Sequence, residues 1–169
     1  IGRGQVHGQG RRRGLSEEDQ PEQREARAGQ ASAAGQVAHP VGGKDAHAEH
    51  HEHGENVIIT GDFNTAHREI DLKNPRQNIT TSGFMPEERV WIDYYLAHGF
   101  ADAYRELYPE KVQYTWWTFI SNARARNVGW RIDYFLVSSD LMPAVQDVVI
   151  HDDMPGSDHC PVTLHLRDV

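Results

Sequence analysis

Cysteine occurs once in the 169 residues, as Cys160. A lone thiol excludes an internal disulfide framework and fits a reducing compartment. Aromatic residues are missing from the first part of the chain, where no Trp, Tyr or Phe precedes Phe63. Large aliphatics are scarce there too; after Ile1 come only Leu15 and the scattered Val6, Val37 and Val41. A segment so poor in apolar surface cannot offset the entropy of ordering its backbone. Residues 1–55 therefore read as a disordered tail, or as coding sequence translated out of frame, since Gly, Arg, Ala, Gln and His richness suits GC-rich DNA read in a wrong frame. The folded unit is expected at residues 56–169. No apolar run is long enough to span a bilayer, and Arg11-Arg12-Arg13 lacks the apolar stretch that would follow it in a signal peptide. An intracellular setting, cytoplasmic or nuclear, is expected. Positive charge is also short: 17 Lys and Arg face 25 Asp and Glu, a net charge of -8. That balance argues against gripping a polyanion by bulk charge. It leaves room for a local basic rim, for which Arg76, Arg124, Arg126 and Arg131 are candidates.

From Asn56 the composition becomes that of a folded domain. Residues 57–60 are an apolar run of strand length, closed by Gly61. Residues 65–82 read as a polar loop, with Asn74-Pro75 and Asn78 as turn signals. Pro86 opens a helix with Glu87 and Glu88 in its first turn, where the macrodipole favours acids. Its apolar face is expected to carry Val90, Trp91, Tyr94 and Tyr95, and it stops near Gly99. A short helical piece falls within residues 100–108. Residues 114–119, 130–137, 145–150 and 161–166 read as further strands, with a turn at 140–144. Many strands and few helices predict a mixed or antiparallel sheet with helices packed on one face.

Three short motifs carry chemistry. Asp62 and Asn64 follow the first strand, and alternate positions there share a face while Phe63 points inward. Asp62 can take a proton from water or ligate a metal, and Asn64 can donate to a phosphate oxygen. An Asx turn after a strand is the plainer alternative. Asp158 and His159 sit in a Gly-Ser loop ahead of the last strand. There Asp158 can ligate a hard cation and His159 can donate to a phosphate; a polar loop capped by Pro161 is the alternative. Asp133 interrupts an apolar strand, where a carboxylate needs a partner. A histidine would suit it, because the carboxylate can fix the imidazole tautomer; neighbouring Arg131 is the other choice. Trp116, Trp117 and Trp130 are core residues or, near such a site, surfaces for a sugar or base. Asn122, Arg124, Arg126 and Asn127 form a polar loop able to meet phosphates, or a solvated hairpin. His47, His50, His51 and His53 have a spacing that could hold a metal weakly, but lie in a segment without a core.

Taken together, the motifs resemble those of a known family. The match runs from Asp62-Phe-Asn64-Thr-Ala-His67 through Glu69-Ile-Asp71-Leu-Lys-Asn74-Pro75, Gly83-Phe84-Met-Pro86-Glu-Glu88-Arg89 and Tyr114-Thr115-Trp116-Trp117. It continues through Asn122-Ala-Arg124, Asn127-Val-Gly-Trp130-Arg131-Ile-Asp133-Tyr134 and Gly156-Ser-Asp158-His159-Cys160-Pro161. From about Asn56 to Leu166 the chain resembles the C-terminal half of the exonuclease III-type abasic-site endonucleases, within the endonuclease/exonuclease/phosphatase superfamily. The Asp-x-Asn and Ser-Asp-His pieces mark the superfamily, and the Asn-Val-Gly-Trp-Arg-Ile-Asp-Tyr run marks the abasic-endonuclease branch.

The resemblance implies an α/β (α+β) fold, half of the four-layered α/β sandwich of the DNase I-like fold. It implies a DNA repair nuclease that hydrolyses phosphodiesters 5′ to abasic sites and acts as a 3′–5′ exonuclease on double-stranded DNA. Asp62 would then be the general base or a water-positioning acid, Asn64 would stabilise the transition state, and Asp133 would orient His159, which holds the phosphate. Asp62, Asn64, Asp158 and His159 would hold Mg2+ or Mn2+. Trp116 and Trp130 would line the pocket for a flipped-out sugar, with Asn74, Asn78 and Arg124 on the DNA. Partners would be duplex DNA with abasic sites or blocked 3′ ends, bound by a monomer. In that family a strand-borne Asn, a strand-borne Glu that is the chief metal ligand and a Tyr come from an N-terminal half that residues 1–55 do not match. The chain is thus expected to be truncated and poorly active alone. Alternatives are a superfamily phosphatase acting on small or lipid phosphates and a non-catalytic fragment.

Overall fold

The structure, a computed structural model, describes His51 and residues 54–167. The expectations for residues 1–50, and for His47, His50 and His53, lie outside those residues. His51 packs its ring against Phe100, with centroids 5.4 Å apart.

Strand β1 spans Ile58–Asp62, so the apolar run continues through Gly61 instead of closing there. A 3-10 turn at Glu69–Asp71 and a single-turn helix α1, Pro75–Asn78, give form to the expected polar loop. Helix α2 covers Pro86–Ala97. Its start is tied by Glu88, whose carboxylate accepts the Gly83 and Met85 N–H groups at 2.6 and 3.0 Å. This satisfies donors that the helix itself leaves open. Its buried face is Ile92 and Tyr95, while Val90 is 52% exposed. The expected stripe through Val90 is therefore rotated: the sheet lies on the side of the 92/95 pair. Strand β2, Phe100–Asp102, leads into helix α3, Ala103–Leu107, whose first turn is capped by Asp102 accepting the Arg105 N–H at 3.2 Å.

Strand β3, Asp133–Ser138, lies at the centre of an antiparallel sheet ordered β1-β3-β2. Its alternation sorts the core. Tyr134 and Leu136 face α2 with Ile92, Tyr95 and Phe100. Phe135 and Val137 face the other way, toward Tyr104, Val148 and Ile150. Strands β4, Val145–Ile150, and β5, Val162–Leu166, pair antiparallel as a second sheet. The sheets are antiparallel, as expected. However, only one face of the three-stranded sheet takes helix α2; the other is covered by α3 and the β4–β5 hairpin, because β3 is apolar on both faces.

Residues 114–119 are not a strand. Trp116 makes isolated antiparallel bridges to Trp130 and to His159, and no ladder extends beyond them. Aromatic and β-branched residues favoured a strand, but this segment is wedged between two others and pairs with each for one step. Residues 130–132 likewise precede β3 as bridge and coil, and 139–144 form a 3-10 turn.

Candidate active site

Antiparallel register makes the site. The Cα partners of β1 and β3 end on Asp62 opposite Asp133. Two carboxylates directly across a ladder repel each other. His159, just ahead of β5, lies between them: its Nδ1 is 2.9 Å from Asp133 Oδ2 and its Nε2 3.8 Å from Asp62 Oδ2. Its other ties are a backbone N–H donated to Ser157 Oγ at 3.2 Å and the bridge to Trp116. The hydrogen bond to Asp133, with the neighbouring carboxylates, outweighs burial and raises the His159 pKa above its usual value. Burial raises Asp62 as well; Asp133 and Asp158 add to that, against the opposing Asn64 N–H and His159. Asp133 is seated by Thr115, whose Oγ1 accepts the Ile132 and Asp133 N–H groups at 3.0 and 3.2 Å.

Asn64 adopts a left-handed backbone, φ 51°, and donates its N–H to Asp62 Oδ1 at 2.7 Å. This is the Asx turn named as the plainer alternative, and it holds the Asp62 carboxylate in place. Asp158 sits beside the cluster. Its Oδ2 accepts the Trp116 indole N–H at 3.1 Å, and its Oδ1 the Ser157 hydroxyl at 3.2 Å. Burial pushes the Asp158 pKa up, but these bonds prevail and hold it below the usual carboxylate range. Trp116 meets the buried Trp130 edge to face at 6.4 Å, and of the two indoles it is Trp116 that bonds a carboxylate, that of Asp158. Trp117 is core. Asn74 and Asn78 flank α1, where the Asn78 amide donates to the Asn74 carbonyl at 2.9 Å. Asn74 lines a cavity of about 310 Å³ with Glu69, Lys73, Val112 and Tyr114.

The basic rim is smaller than expected. Arg131 is 1% exposed and has no rim position. It makes a bidentate pair with Asp102 at 2.6 and 3.1 Å and a bond to Asp71 at 2.8 Å. Arg105 also pairs with Asp71. Arg131 does not partner Asp133, so the open choice at that residue falls to His159. Asp71, Asp102, Arg105 and Thr115 were not among the expected site residues. Asp71 and Thr115 lie inside the matched motifs, but only a charge or a hydroxyl that needs a partner when buried could have pointed to them.

Among the described residues, Asp62, Asp133 and His159 are the group of metal-ligating side chains, with donor atoms within 4.8 Å of one another. Two carboxylates and an imidazole suit a divalent cation, and a cation would offset both the burial that chiefly raises Asp62 and the smaller push from Asp133 and Asp158. No helix among the described residues is long and apolar enough to cross a membrane.

Residues 44–159 match the model of the Endonuclease/Exonuclease/phosphatase family. The chain is 52% identical over 111 residues to the DNA repair nuclease APEX1 of Danio rerio, covering 65% of this chain and 36% of that protein. It is 50% identical over 112 residues to the exodeoxyribonuclease of Bacillus subtilis, covering 66% and 44%. Among solved structures, the AP endonuclease of Leishmania major superposes with a TM-score of 0.63 at 38% identity, covering 66% of this chain and 35% of that one. A Neisseria 3′ phosphatase bound to a product DNA hairpin superposes with a TM-score of 0.67 at 28% identity, covering 71% and 48%. The chain spans less than half the length of these relatives. With the fold and the matched residues in agreement, the chain belongs to the endonuclease/exonuclease/phosphatase family.

Proposed function

We propose that residues 56–169 carry one half of the catalytic site of a DNA repair nuclease that cleaves duplex DNA at abasic sites and trims 3′ ends. The observation that carries this reading is the Asp62–His159–Asp133 cluster set against Trp116 and Trp130. Asp133 fixes the imidazole, so a protonated His159 presents Nε2–H toward a phosphate oxygen. Asp62, with its pKa raised, takes the proton of the attacking water. Asn64, held against Asp62, donates to the charge that develops on phosphorus. The indoles receive the deoxyribose of an abasic site, which leaves the stack cheaply because no base is lost from it. Asn74 and Asn78 contact the flanking backbone. Asp62, Asp158 and His159, with Asn64, border the place for Mg2+ or Mn2+, which when bound would neutralise charge on the phosphate and leaving oxygen.

The relatives named nuclease and exodeoxyribonuclease are longer proteins, and a hard cation takes six or more oxygens. The described residues bring together only two carboxylates and an imidazole. The 169-residue chain alone should therefore nick abasic duplex weakly. Nicking of a labelled duplex with one abasic site, titrated with Mg2+ and compared with phosphoinositide hydrolysis, tests this. Robust nicking at low Mg2+ would refute the weak-activity expectation, and preference for the phosphoinositide would overturn the DNA reading.

A further inference from the structure

Arg124 carried the sequence expectation of a DNA contact, but both of its terminal nitrogens donate within the chain. Its Nη1 donates to the Ser157 carbonyl at 3.0 Å, and its Nη2 to the Asp152 and Met154 carbonyls at 3.1 and 2.6 Å. The guanidinium plane lies over the Trp117 ring, 4.6 Å from its centroid. These contacts cross 28 to 33 residues of chain, from the loop after Trp117 to the connection between β4 and β5. That connection, residues 151–161, has no strand or helix, and its middle is exposed. Its far end is tied separately, by the Trp117 N–H to the Asp158 carbonyl at 2.9 Å and the Cys160 N–H to the Thr115 carbonyl at 2.8 Å. Between Asp152 and Ser157, Arg124 is the only side chain among the described residues that donates to a carbonyl.

We propose that Arg124 is a positioning residue: its guanidinium clamps the 152–157 loop onto Trp117 and so sets where Ser157, Asp158 and His159 stand. The fork geometry explains the residue type. A planar guanidinium can stack on an indole and aim donors at several carbonyls at once, which a lysine ammonium cannot. Ser157 passes the constraint on, since its carbonyl is held by Arg124 while its hydroxyl meets the Asp158 carboxylate and the His159 N–H. The importance of this clamp for catalysis rests on the reading of His159 as the phosphate-binding group.

The test uses the full 169-residue chain with Arg124→Gln and Arg124→Lys, and Arg167→Gln as a charge control on an exposed arginine. The His159 ring resonances and their pH titration are read by NMR, and binding to a fluorescent 20-mer duplex is read against salt. Both Arg124 variants should move the His159 ring signals beyond their linewidth while Arg167→Gln leaves them in place. The slope of log affinity against log salt should be the same for Arg124→Gln and Arg167→Gln, because a lost phosphate contact would lower it by about 0.9. Unmoved His159 signals overturn the proposal, even with a lowered melting temperature, since that would leave a structural tie only. A slope lowered selectively in Arg124→Gln overturns it too. If Arg124→Gln does not fold, Arg124→Lys decides the matter by the same signals. A parent chain that binds no duplex counts against the nuclease reading alone, because the His159 resonances report the clamp without DNA.

Discussion

His159 lies among the charges of Asp133, Asp62 and Asp158. The Asp133 hydrogen bond, helped by Asp62 and Asp158, raises its pKa. A group whose folded pKa lies above its unfolded value lends stability that is complete below the unfolded value and lost as pH rises through the folded one. For His159 that window opens near 6.5, the ordinary value, and extends upward. Asp133→Asn removes the strongest cause, so the His159 titration in metal-free buffer should move down toward 6.5. The stability gained below neutrality should shrink with it. An unchanged NMR titration of the His159 ring would show that Asp133 is not its controlling partner. At this scale the sequence was informative: Asp62, Asp133 and His159 were all singled out from their motifs. What their neighbours do was less legible. Arg131 lies between Trp130 and Ile132 and Arg124 in a polar loop, yet the first is buried in an ion-pair network and the second donates to the carbonyls of a distant loop. Neither fate is written in local sequence, because each depends on acceptors far away in the chain.

Among the elements, the segment from Gly129 to Asp133 joins Trp130, which meets Trp116 edge to face, to the carboxylate pair. Arg131 anchors it against Asp71 and Asp102, and cation–π contact with Tyr134 at 4.5 Å adds to the seat. Burial pushes the Asp71 carboxyl up, but Arg131 and Arg105 win and hold it below its usual value. Its contribution is therefore present above the unfolded value, 3.8, and lost as pH falls through the lower folded one. Arg131→Met would strand the buried Asp102 carboxylate and leave Asp71 with Arg105 alone, and should cost about 3–5 kcal/mol by chemical denaturation. The loss should be smaller in acid, where Asp71 can be protonated. Gly129 is constrained by space: a Cβ there would lie 2.3 Å from Trp117 Nε1 and 2.9 Å from the Trp116 carbonyl oxygen. Gly129→Ala should therefore destabilise the chain by about 1–3 kcal/mol, read from the same unfolding curves. The strands β1, β3, β4 and β5 were legible because their apolar runs are continuous or alternate. The 114–119 segment misled because propensity reports side-chain preference, while a ladder needs a partner of equal length.

On the scale of the molecule, the hydrogen bonds and ion pairs around the site come from residues between Asp62 and Cys160. The proposed working unit, residues 56–169, can be checked directly. Deleting residues 1–50 should leave the His159 ring signals and the tryptophan fluorescence as they are in the full chain, with the melting temperature within a few degrees. Shifted His159 signals in the shortened chain would place a contribution from the first 50 residues at the site. The covering of β3 by α2 on one face and by α3 with the β4–β5 hairpin on the other follows from its composition, since Tyr134, Leu136, Phe135 and Val137 leave neither face suited to water.

The amino-acid sequence by itself determined the chemistry available here: which residues can carry charge at strand ends, where the apolar runs lie, and a motif set specific enough to point to one family. Those are properties of residue type and short spacing, and they survive in one dimension. The tertiary structure alone decided which groups meet. Asp62 faces Asp133 because β1 and β3 pair in one antiparallel register, and a slip of one residue would turn every side chain to the other face. Arg131 went to the buried carboxylates and Arg124 to the loop carbonyls because a buried charge or an orphaned carbonyl takes the partner that packing brings near, not the one nearest along the chain.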